Sequence, residues 1–238
     1  MARFCRFDLR TTDANAARTF YAEVLGHGRA SIWPLHEQAL ARGARPHWLG
    51  HIGVENAESI AATFVLQGAE RLGPTRSGDD GSVFVTLRDP GGAVVALVSP
   101  PPVSTPSSID VVWHVLNTND AERATARYCE AFGWHLTGRV DRGAEGTFEQ
   151  FAWDASATSE ASAGAIGDVK GRAGVHPHWL FFFEVESLEP AVAAARAHGG
   201  LVMEPIALPN GDRVCVCDDP QGAAFGLREQ RRGSVASS

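Results

Sequence analysis

Apolar residues recur with two periods along this chain, and their succession predicts strands and helices in a repeating order. "RFCRFDLRT" near the N-terminus alternates between apolar and polar residues, which indicates a strand. Asp13 then offers an N-cap for a helix over "ANAARTFYAEVL". Phe20 and Val24 fall on one stripe of that helix, and Gly26 ends it. "PHWLGHIGVE" and "NAESIAATFVLQG" repeat the strand–helix order, and "SVFVTLRD" and "AVVALVS" follow as strands joined by the turn "DPGG".

The second half of the chain repeats these landmarks in the same order, which indicates a tandem duplication. Residues 9–26, "LRTTDANAARTFYAEVLG", align without a gap with residues 116–133, "LNTNDAERATARYCEAFG". Tyr21 thereby meets Tyr128. "PHWL" occurs in both halves, and "RDPGGAVVAL" matches "DDPQGAAFGL". The strands and helices of the first half therefore have counterparts throughout the second.

The duplication predicts the domain organisation, and a run rich in proline and serine, "PPPVSTPSS", marks the boundary between the two halves. We expect a first domain over 1–99, with modules 1–45 and 46–99, and a linker over 100–108. A second domain over 109–231, with modules 109–174 and 175–231, and a tail over 232–238 complete the chain. The class predicted is α+β, with curled mixed sheets around cavities and the helices outside. The Ala-, Ser- and Gly-rich stretch 154–174 is predicted to be a mobile loop.

Composition narrows the class of partner. Among 238 residues, 28 acids against 21 bases give a net charge of −7, and no basic run occurs, which argues against nucleic acid and anionic membrane surfaces. No apolar stretch approaches the ~20 residues that span a bilayer, and no signal peptide is evident at the N-terminus. The four cysteines, at positions 5, 129, 215 and 217, lack a framework spacing. Free thiols and a cytoplasmic location are expected.

Four quoted motifs carry a family resemblance that covers nearly the whole chain. "TTDANAARTFYAEVLG" and "NDAERATARYCEAFGW" resemble the first strand–helix junction of the vicinal oxygen chelate superfamily, and "HWLGHIGVENAES" and "DPQGAAFGL" resemble its second module. That superfamily includes glyoxalase I, bleomycin-resistance proteins and extradiol dioxygenases, and this chain is most similar to its two-domain, glyoxalase-like branch. The resemblance implies tandem domains built from four βαβββ modules.

The resemblance also implies where a metal ion would be held. Metal-dependent members use a His or Gln on the first strand of each module and a Glu on its last, a set that suits a divalent ion acting as a Lewis acid. The aligned positions in this chain hold no ordinary ligand; they are Arg6, Leu49, Ala96, Trp113, Leu180 and Gly226. We therefore expect no metal at the family's usual site and no other cofactor.

The strand period of two places a set of candidate ligand-binding residues on the cavity faces. They are Arg6, Asp8, His47, Leu49 and His51 in the first half, and Trp113, His178, Leu180, Phe182 and Glu184 in the second. Two interpretations of His47 and His178 stay open. Each imidazole either contacts a ligand, as a hydrogen-bond or acid–base group, or closes a hydrogen bond beside its proline. No catalytic residue is assigned.

Three functional hypotheses remain at this point. The first is a metal-free, glyoxalase/bleomycin-resistance-like protein that binds a small, partly aromatic molecule in a cavity. The second is a lyase, isomerase or dioxygenase with a divalent metal in a rearranged site, so that the sequence leaves open whether the chain is an enzyme. The third is a protein-interaction module, since the duplication can mimic a dimer within one chain. The chain is expected to be a monomer with an internal pseudo-dimer, or a homodimer.

Overall fold

The structure, a computed structural model, describes residues 1–26, 30–101, 110–156 and 161–231. The predicted tail, 232–238, and most of the predicted linker, 102–108, lie outside the described residues. Within the described ranges, the strands and helices that the hydrophobic pattern predicts occur in the predicted order. None of the described helices is long and apolar enough to cross a membrane.

The first repeat contains three helices and seven strands in the described ranges. In chain order they are β1 (Arg3–Thr11), α1 (Ala14–Leu25), β2 (Ser31–Pro34), α2 (Glu37–Ala41), β3 (His47–Gly53), α3 (Ala57–Leu66), β4 (Glu70–Arg71), β5 (Arg76–Ser77), β6 (Val83–Arg88) and β7 (Val94–Ser99). Asp13 caps α1 as predicted, because its carboxylate accepts from the backbone N–H groups of Asn15 and Ala16.

The second repeat contains two α-helices, a 3₁₀ turn and nine strands in the described ranges. They are β8 (Val111–Thr118), α4 (Ala121–Phe132), β9 (His135–Asp141), the 3₁₀ turn (Gly143–Glu145), β10 (Thr147–Ala152), β11 (Gly164–Asp168), β12 (His178–Glu184), α5 (Leu188–Ala197), β13 (Leu201–Val202), β14 (Ile206–Ala207), β15 (Arg213–Asp218) and β16 (Ala224–Glu229). Gly133 ends α4 in the left-handed conformation, with φ of 69°, that glycine adopts without strain.

Two mixed sheets confirm the predicted α+β class. In the described residues, one sheet has the strand order β2-β1-β3-β7-β6-β4, with β5 also on β6. The other has the order β13-β15-β16-β12-β8-β11-β10-β9, with β14 also on β15. β3 pairs in parallel with β7, and β12 with β16. The "DPGG" and "DPQG" turns join the antiparallel pairs β6–β7 and β15–β16, as the sequence predicts.

Two local predictions were wrong. The first module is not a full βαβββ unit, because β2 is the one strand that follows α1 among its described residues. The chain then turns into α2, whose N-cap His36 accepts from the N–H of Gln38, and the helix formers of "EQALA" continue it. The stretch 154–174 is also not a loop throughout, since it contains β11, which pairs with both β8 and β10.

Packing divides the chain into two compact units, and each combines one module from each repeat. The first unit comprises Met1–Phe7, Leu49–Ser107 and Trp113–Leu180; the second comprises Asp8–Trp48, Ser108–Val112 and Phe181–Ser238. The domain bounds that the duplication suggests, 1–99 and 109–231, stay a prediction about how each repeat is organised.

The core of the first unit is rich in aromatic rings. Phe64 of α3 packs against Tyr128 and Phe132 of α4, with ring centroids 5.7 and 5.6 Å apart. Trp134 stacks on Phe151 at 4.7 Å. Contacts of this kind add about 0.5–1.5 kcal/mol each to the free energy gained by burying the rings. Aromatic contacts therefore contribute to the packing of α3 against α4.

A hydrogen-bond bridge lies at the centre of the first unit. The indole N–H of Trp179 donates to the hydroxyl of Tyr128 at 3.2 Å, and that hydroxyl donates to Asp89 Oδ2 at 3.1 Å. The other carboxylate oxygen of Asp89 accepts the backbone N–H of Ala93 at 2.9 Å and so closes the "DPGG" turn. Tyr128 and Trp179 belong to the second repeat and Asp89 to the first, so the bridge joins the repeats.

The second unit contains the same bridge with the roles of the repeats exchanged. Trp48 Nε1 donates to the Tyr21 hydroxyl at 2.9 Å, and the hydroxyl donates to Asp219 Oδ2 at 3.3 Å. Asp219 also accepts the backbone N–H of Ala223. Phe225 packs against the Tyr21 ring at 5.3 Å. Burial raises the pKa of Asp219, and its hydrogen bonds to backbone N–H groups and to Tyr21 oppose that rise.

We expect Tyr21→Phe and Tyr128→Phe each to lower the free energy of unfolding by about 1–3 kcal/mol, because each leaves a buried indole N–H and a carboxylate oxygen without the hydroxyl. Urea denaturation of the full chain measures the change. Trp33→Phe is the matched control, since the Trp33 side chain is exposed and its loss should change stability little. Equal stability of the tyrosine variants and the parent would contradict a stabilising role for the bridges.

Candidate functional site

The predicted site residues divide between the two units. The first unit contains Arg6, Leu49, His51, Trp113, His178 and Leu180, and the second contains Asp8, His47, Phe182 and Glu184. In neither unit do all the predicted residues meet at one point.

The first unit brings Arg6 and His51 together around a ring that sequence reasoning missed. The guanidinium carbon of Arg6 lies 5.6 Å from the centroid of the Phe84 ring, and the His51 ring meets the same phenyl edge-on at 5.8 Å. Register explains the meeting, because His51 pairs with Ala96 and Phe84 with Val98 on adjoining strands. We call Arg6, His51 and Phe84 the Arg6 cluster.

Exposure and charge in the Arg6 cluster suit the recognition of a small molecule. Arg6 and Phe84 are half-buried, whereas His51 is buried. The neighbouring Cys5 donates its S–H to the His51 carbonyl at 3.3 Å, and burial raises the pKa of Cys5 to about 11. The thiol is therefore uncharged near neutral pH. Arg6 thus provides a permanent positive charge beside an aromatic face.

His178 in the first unit makes a hydrogen bond beside its proline, as one of the two interpretations of this residue expects. Its Nδ1 lies 2.7 Å from the carbonyl oxygen of His176, and its Nε2 lies 3.4 Å from Asn117 Nδ2. These partners assign the proton to Nδ1, which donates to the carbonyl, and leave Nε2 to accept from the amide. Burial lowers the pKa of His178 to about 4, so the ring is neutral at pH 7.

His47 in the second unit makes the equivalent contact, with Nδ1 2.7 Å from the carbonyl oxygen of Arg45. Both copies of "PHW" thus fix the imidazole against the backbone two residues earlier. A further role for either histidine in ligand binding stays a prediction. Asp8 in the same unit is fully buried, and its Oδ2 lies 3.2 Å from an Arg10 guanidinium nitrogen.

Phe182 and Glu184 in the second unit differ in their surroundings. Phe182 is buried, and its ring lies directly over Gly226, so that a Cβ at position 226 would collide with it. Glu184 is exposed and lines a cleft of about 550 Å³ together with Glu23 and Glu186. Phe182 therefore packs against Gly226, and Glu184 lies in acidic surroundings that suit an anionic ligand poorly. A role for either residue in ligand binding stays a prediction.

The residues present do not fit the metal set of the family. Gly226 holds the last-strand carboxylate position in the second repeat, and the Phe182 ring fills the space that a side chain would need there. In the first repeat the corresponding Ala96 pairs with His51. Across the part of the chain that the structure describes, no three His, Cys, Asp or Glu side chains are grouped so that they could hold a metal ion.

Sequence reasoning missed both Phe84 and the two bridges. Phe84 gave no signal, because one phenylalanine in a strand is typical of any core. The bridges did give one: the chain has two tyrosines, and they align in the duplication. A repeated tyrosine, a repeated "PHW" and a repeated "DP" turn together indicate an internal contact between repeats that occurs twice in the chain.

Comparison with solved structures defines the fold class. The chain superposes with a TM-score of 0.64 on the Mn(II)-bound glyoxalase from Novosphingobium aromaticivorans, at 10% identity over 98% of this chain and 84% of that one. It superposes with a TM-score of 0.65 on homoprotocatechuate 2,3-dioxygenase from Brevibacterium fuscum, at 14% identity over 99% of this chain and 83% of that one. The fold is thus the two-domain vicinal oxygen chelate fold.

Sequence comparison supports the resemblance to a family. Residues 110–227 match the model of the Glyoxalase/Bleomycin resistance protein/Dioxygenase superfamily. This match covers the second repeat, just under half of the chain, and it confirms the resemblance predicted from the motifs. Relatives from Mycobacterium bovis and Mycobacterium tuberculosis, provisionally named glyoxylase CFP32, are 26% identical over 92% of this chain and 92% of their own length.

The buried histidines make stability depend on pH. Burial lowers the pKa of His114 to about 4, while its Nδ1 lies 2.8 Å from the Ala163 carbonyl oxygen. In the unfolded chain the His114 imidazole takes up a proton below its ordinary pKa of 6.5. In the folded chain the imidazole stays neutral down to about pH 4. Stability is therefore complete above pH 6.5 and falls as the pH drops towards 4, by about 3 kcal/mol for such a group.

We expect His114→Phe to reduce the pH dependence of the unfolding free energy between pH 6.5 and 4, because the variant has no imidazole to protonate. Denaturation at a series of pH values measures the slope. His135→Asn removes an exposed histidine and should leave the slope as it is. A slope unchanged in His114→Phe would contradict the assignment.

Proposed function

We propose that the chain binds a small, partly aromatic anion at the Arg6 cluster, without the family's usual metal ion. The observation that carries this proposal is the junction of a guanidinium, an imidazole and a phenyl ring in the first unit. A planar carboxylate or phenolate complements it, since the guanidinium pairs with the anionic oxygen and the ring stacks on an aromatic face. Arg6 and Phe84 are half-buried, so ligand binding would remove them further from water.

The residues at the family's ligand positions support a metal-free site. A guanidinium, two leucines, an alanine, an indole and a glycine cannot coordinate a divalent ion as carboxylates and imidazoles do. Phe182 over Gly226 supports the same conclusion for the second repeat. Binding by hydrogen bonds, charge and stacking is what the side chains of the Arg6 cluster can supply.

A structural neighbour suggests the probe. The homoprotocatechuate 2,3-dioxygenase from Brevibacterium fuscum was solved in complex with 3,4-dihydroxyphenylacetate, which joins a carboxylate to an aromatic ring. The likeness to this enzyme shows the fold alone. We use its substrate as a first member of a panel of aromatic carboxylates and phenols, because its chemistry matches the Arg6 cluster.

Arg6→Gln should weaken binding of an aromatic carboxylate by about tenfold or more, since it removes the charge that pairs with the anion. Isothermal titration of the full chain with 3,4-dihydroxyphenylacetate and the panel measures the affinity. Arg3→Gln is the matched control, because Arg3 lies on the same strand and is exposed; it should bind as the parent does. A panel in which no compound binds, or equal loss in both variants, would reject the Arg6 cluster as the site.

A second candidate is a lyase, isomerase or dioxygenase with a divalent metal in a rearranged site. The observation in its favour is that solved neighbours include a Mn(II)-bound glyoxalase and several dioxygenases. Candidate donors are His51 in the first unit, or His47 or Glu184 in the second.

Metal analysis of chain purified without chelator separates the two candidates. The binding hypothesis expects less than about 0.1 equivalent of Ni, Zn, Fe or Mn per chain, and the enzyme hypothesis expects close to one. The measurement should be made on the chain in which Cys215 and Cys217 are both replaced by alanine, so that metal held by this pair of thiols is not counted. A full equivalent that remains in this variant would favour the enzyme.

A further inference from the structure

A second group of reactive side chains lies outside the Arg6 cluster, on β15 in the second unit. Cys215 and Cys217 are two residues apart, and their sulfur atoms are 3.8 Å from each other. Successive residues of a strand point to opposite faces, so residues two apart share a face. The strand backbone itself therefore holds both sulfurs together, and both side chains are buried.

The two thiols form a chain of hydrogen bonds that ends at a carbonyl. Cys215 Sγ lies 3.1 Å from the carbonyl oxygen of Met203 and donates to it. Cys217 donates to Cys215, which lowers the pKa of Cys215, and the positive charge of Arg196 lowers it further. The same contact raises the pKa of Cys217. Cys215 is therefore deprotonated more readily than Cys217.

The separation of the sulfurs is wrong for a disulfide. A disulfide requires the sulfurs to approach to about 2.05 Å and the Cβ atoms to about 3.5–4.5 Å. Neighbours on one face of a strand have Cα atoms about 6.6 Å apart, near the upper limit for a bridge. Oxidation of this pair would therefore have to distort β15, which pairs with β16 along its whole length.

The same separation is right for a shared metal ion. With metal–sulfur bonds of about 2.3 Å, sulfurs 3.8 Å apart subtend an angle of about 110° at the metal, close to the tetrahedral value. Thiolates select soft or borderline ions, among them Zn²⁺. The Met203 carbonyl lies beside the pair, and the exposed Glu204 follows it in sequence.

We propose that Cys215 and Cys217 form a two-thiolate site for a thiophilic divalent ion. On binding, each thiol releases one proton to solvent and forms one metal–sulfur bond, so no oxidant or reductant takes part. The ion replaces the S–H···S hydrogen bond as the link between the sulfurs. This site uses none of the positions at which the superfamily holds its metal, and it is independent of ligand binding at the Arg6 cluster.

Titration of the reduced full chain with Cd²⁺ tests the proposal. We expect one ion to bind per chain with release of two protons and a thiolate-to-metal charge-transfer band. Cys215→Ala and Cys217→Ala should each weaken Cd²⁺ binding by at least about 100-fold. Loss of a residue that only hydrogen-bonds to a metal ligand lowers metal affinity by about 10–100-fold, and loss of the ligand itself lowers it further. Cys129→Ala, at a half-buried cysteine elsewhere, is the control and should bind as the parent does.

A measurement on the unmodified chain covers the case in which a cysteine variant fails to fold. Bound Cd²⁺ should protect both cysteines of the tryptic peptide 214–228 from alkylation, and mass spectrometry of that peptide reads the protection. Alkylation of these two thiols at the same rate with and without Cd²⁺ would overturn the proposal. So would Cd²⁺ binding that persists unchanged when both cysteines are replaced.

Discussion

Each unit depends on one buried interaction, a tyrosine hydroxyl held between an indole N–H and a carboxylate. Burial raises the pKa of Tyr21 well above its ordinary value, so the hydroxyl stays protonated and donates a hydrogen bond to Asp219. The carboxylate in turn closes the tight turn between two strands. Helix, strand and turn are thereby fixed by a single chain of donors, and removal of any member leaves buried polar groups without partners.

Each bridge takes its tyrosine from one repeat and its aspartate from the other, so the duplication places the two repeats in contact with each other twice. In the first unit the second repeat supplies the tyrosine and the first supplies the aspartate, and in the second unit the roles are reversed. A duplicated chain can form two such contacts, one in each direction.

The two repeats have kept these contacts while their predicted cavity faces have diverged. At equivalent positions the first repeat has Arg6 and His51, and the second has Trp113 and Phe182. Phe182 packs onto Gly226, whereas His51 adjoins the ring of Phe84. At these two positions the first repeat therefore has polar side chains where the second has aromatic ones. That asymmetry is the physical basis for proposing the first repeat as the binding site.

Much of the fold could be predicted, because the signals for it are local. The cap at Asp13, the "DP" turns and the periods of the long strands agree with the structure. β11 could not be predicted, since "GAIGD" is rich in glycine, which is rare in strands. Its glycines admit the rings of Phe148 and Phe151 from the neighbouring strand, a fit that exists only after pairing.

The candidate site, like the fold, could be predicted only as far as its signals are local in sequence. The alternation of side chains along each strand could place Arg6 and His51 on the cavity faces, but it could not show that both contact Phe84. The register between β3, β7 and β6 brings Phe84 next to His51. That register depends on hydrogen bonds between residues far apart in sequence.

The sequence by itself determined the duplication and the types of most of the longer strands and helices, because each is a property of residues read in order. It also predicted that the family's usual metal ligands are absent. The tertiary structure decided what the repeated phrases do. "PHW" presents a tryptophan to a tyrosine and fixes a histidine to its own backbone. It also brought Cys215 and Cys217 into contact and divided the chain into units that each draw on both repeats. Buried polar groups must find partners wherever the chain offers them, and these partners lie in distant segments.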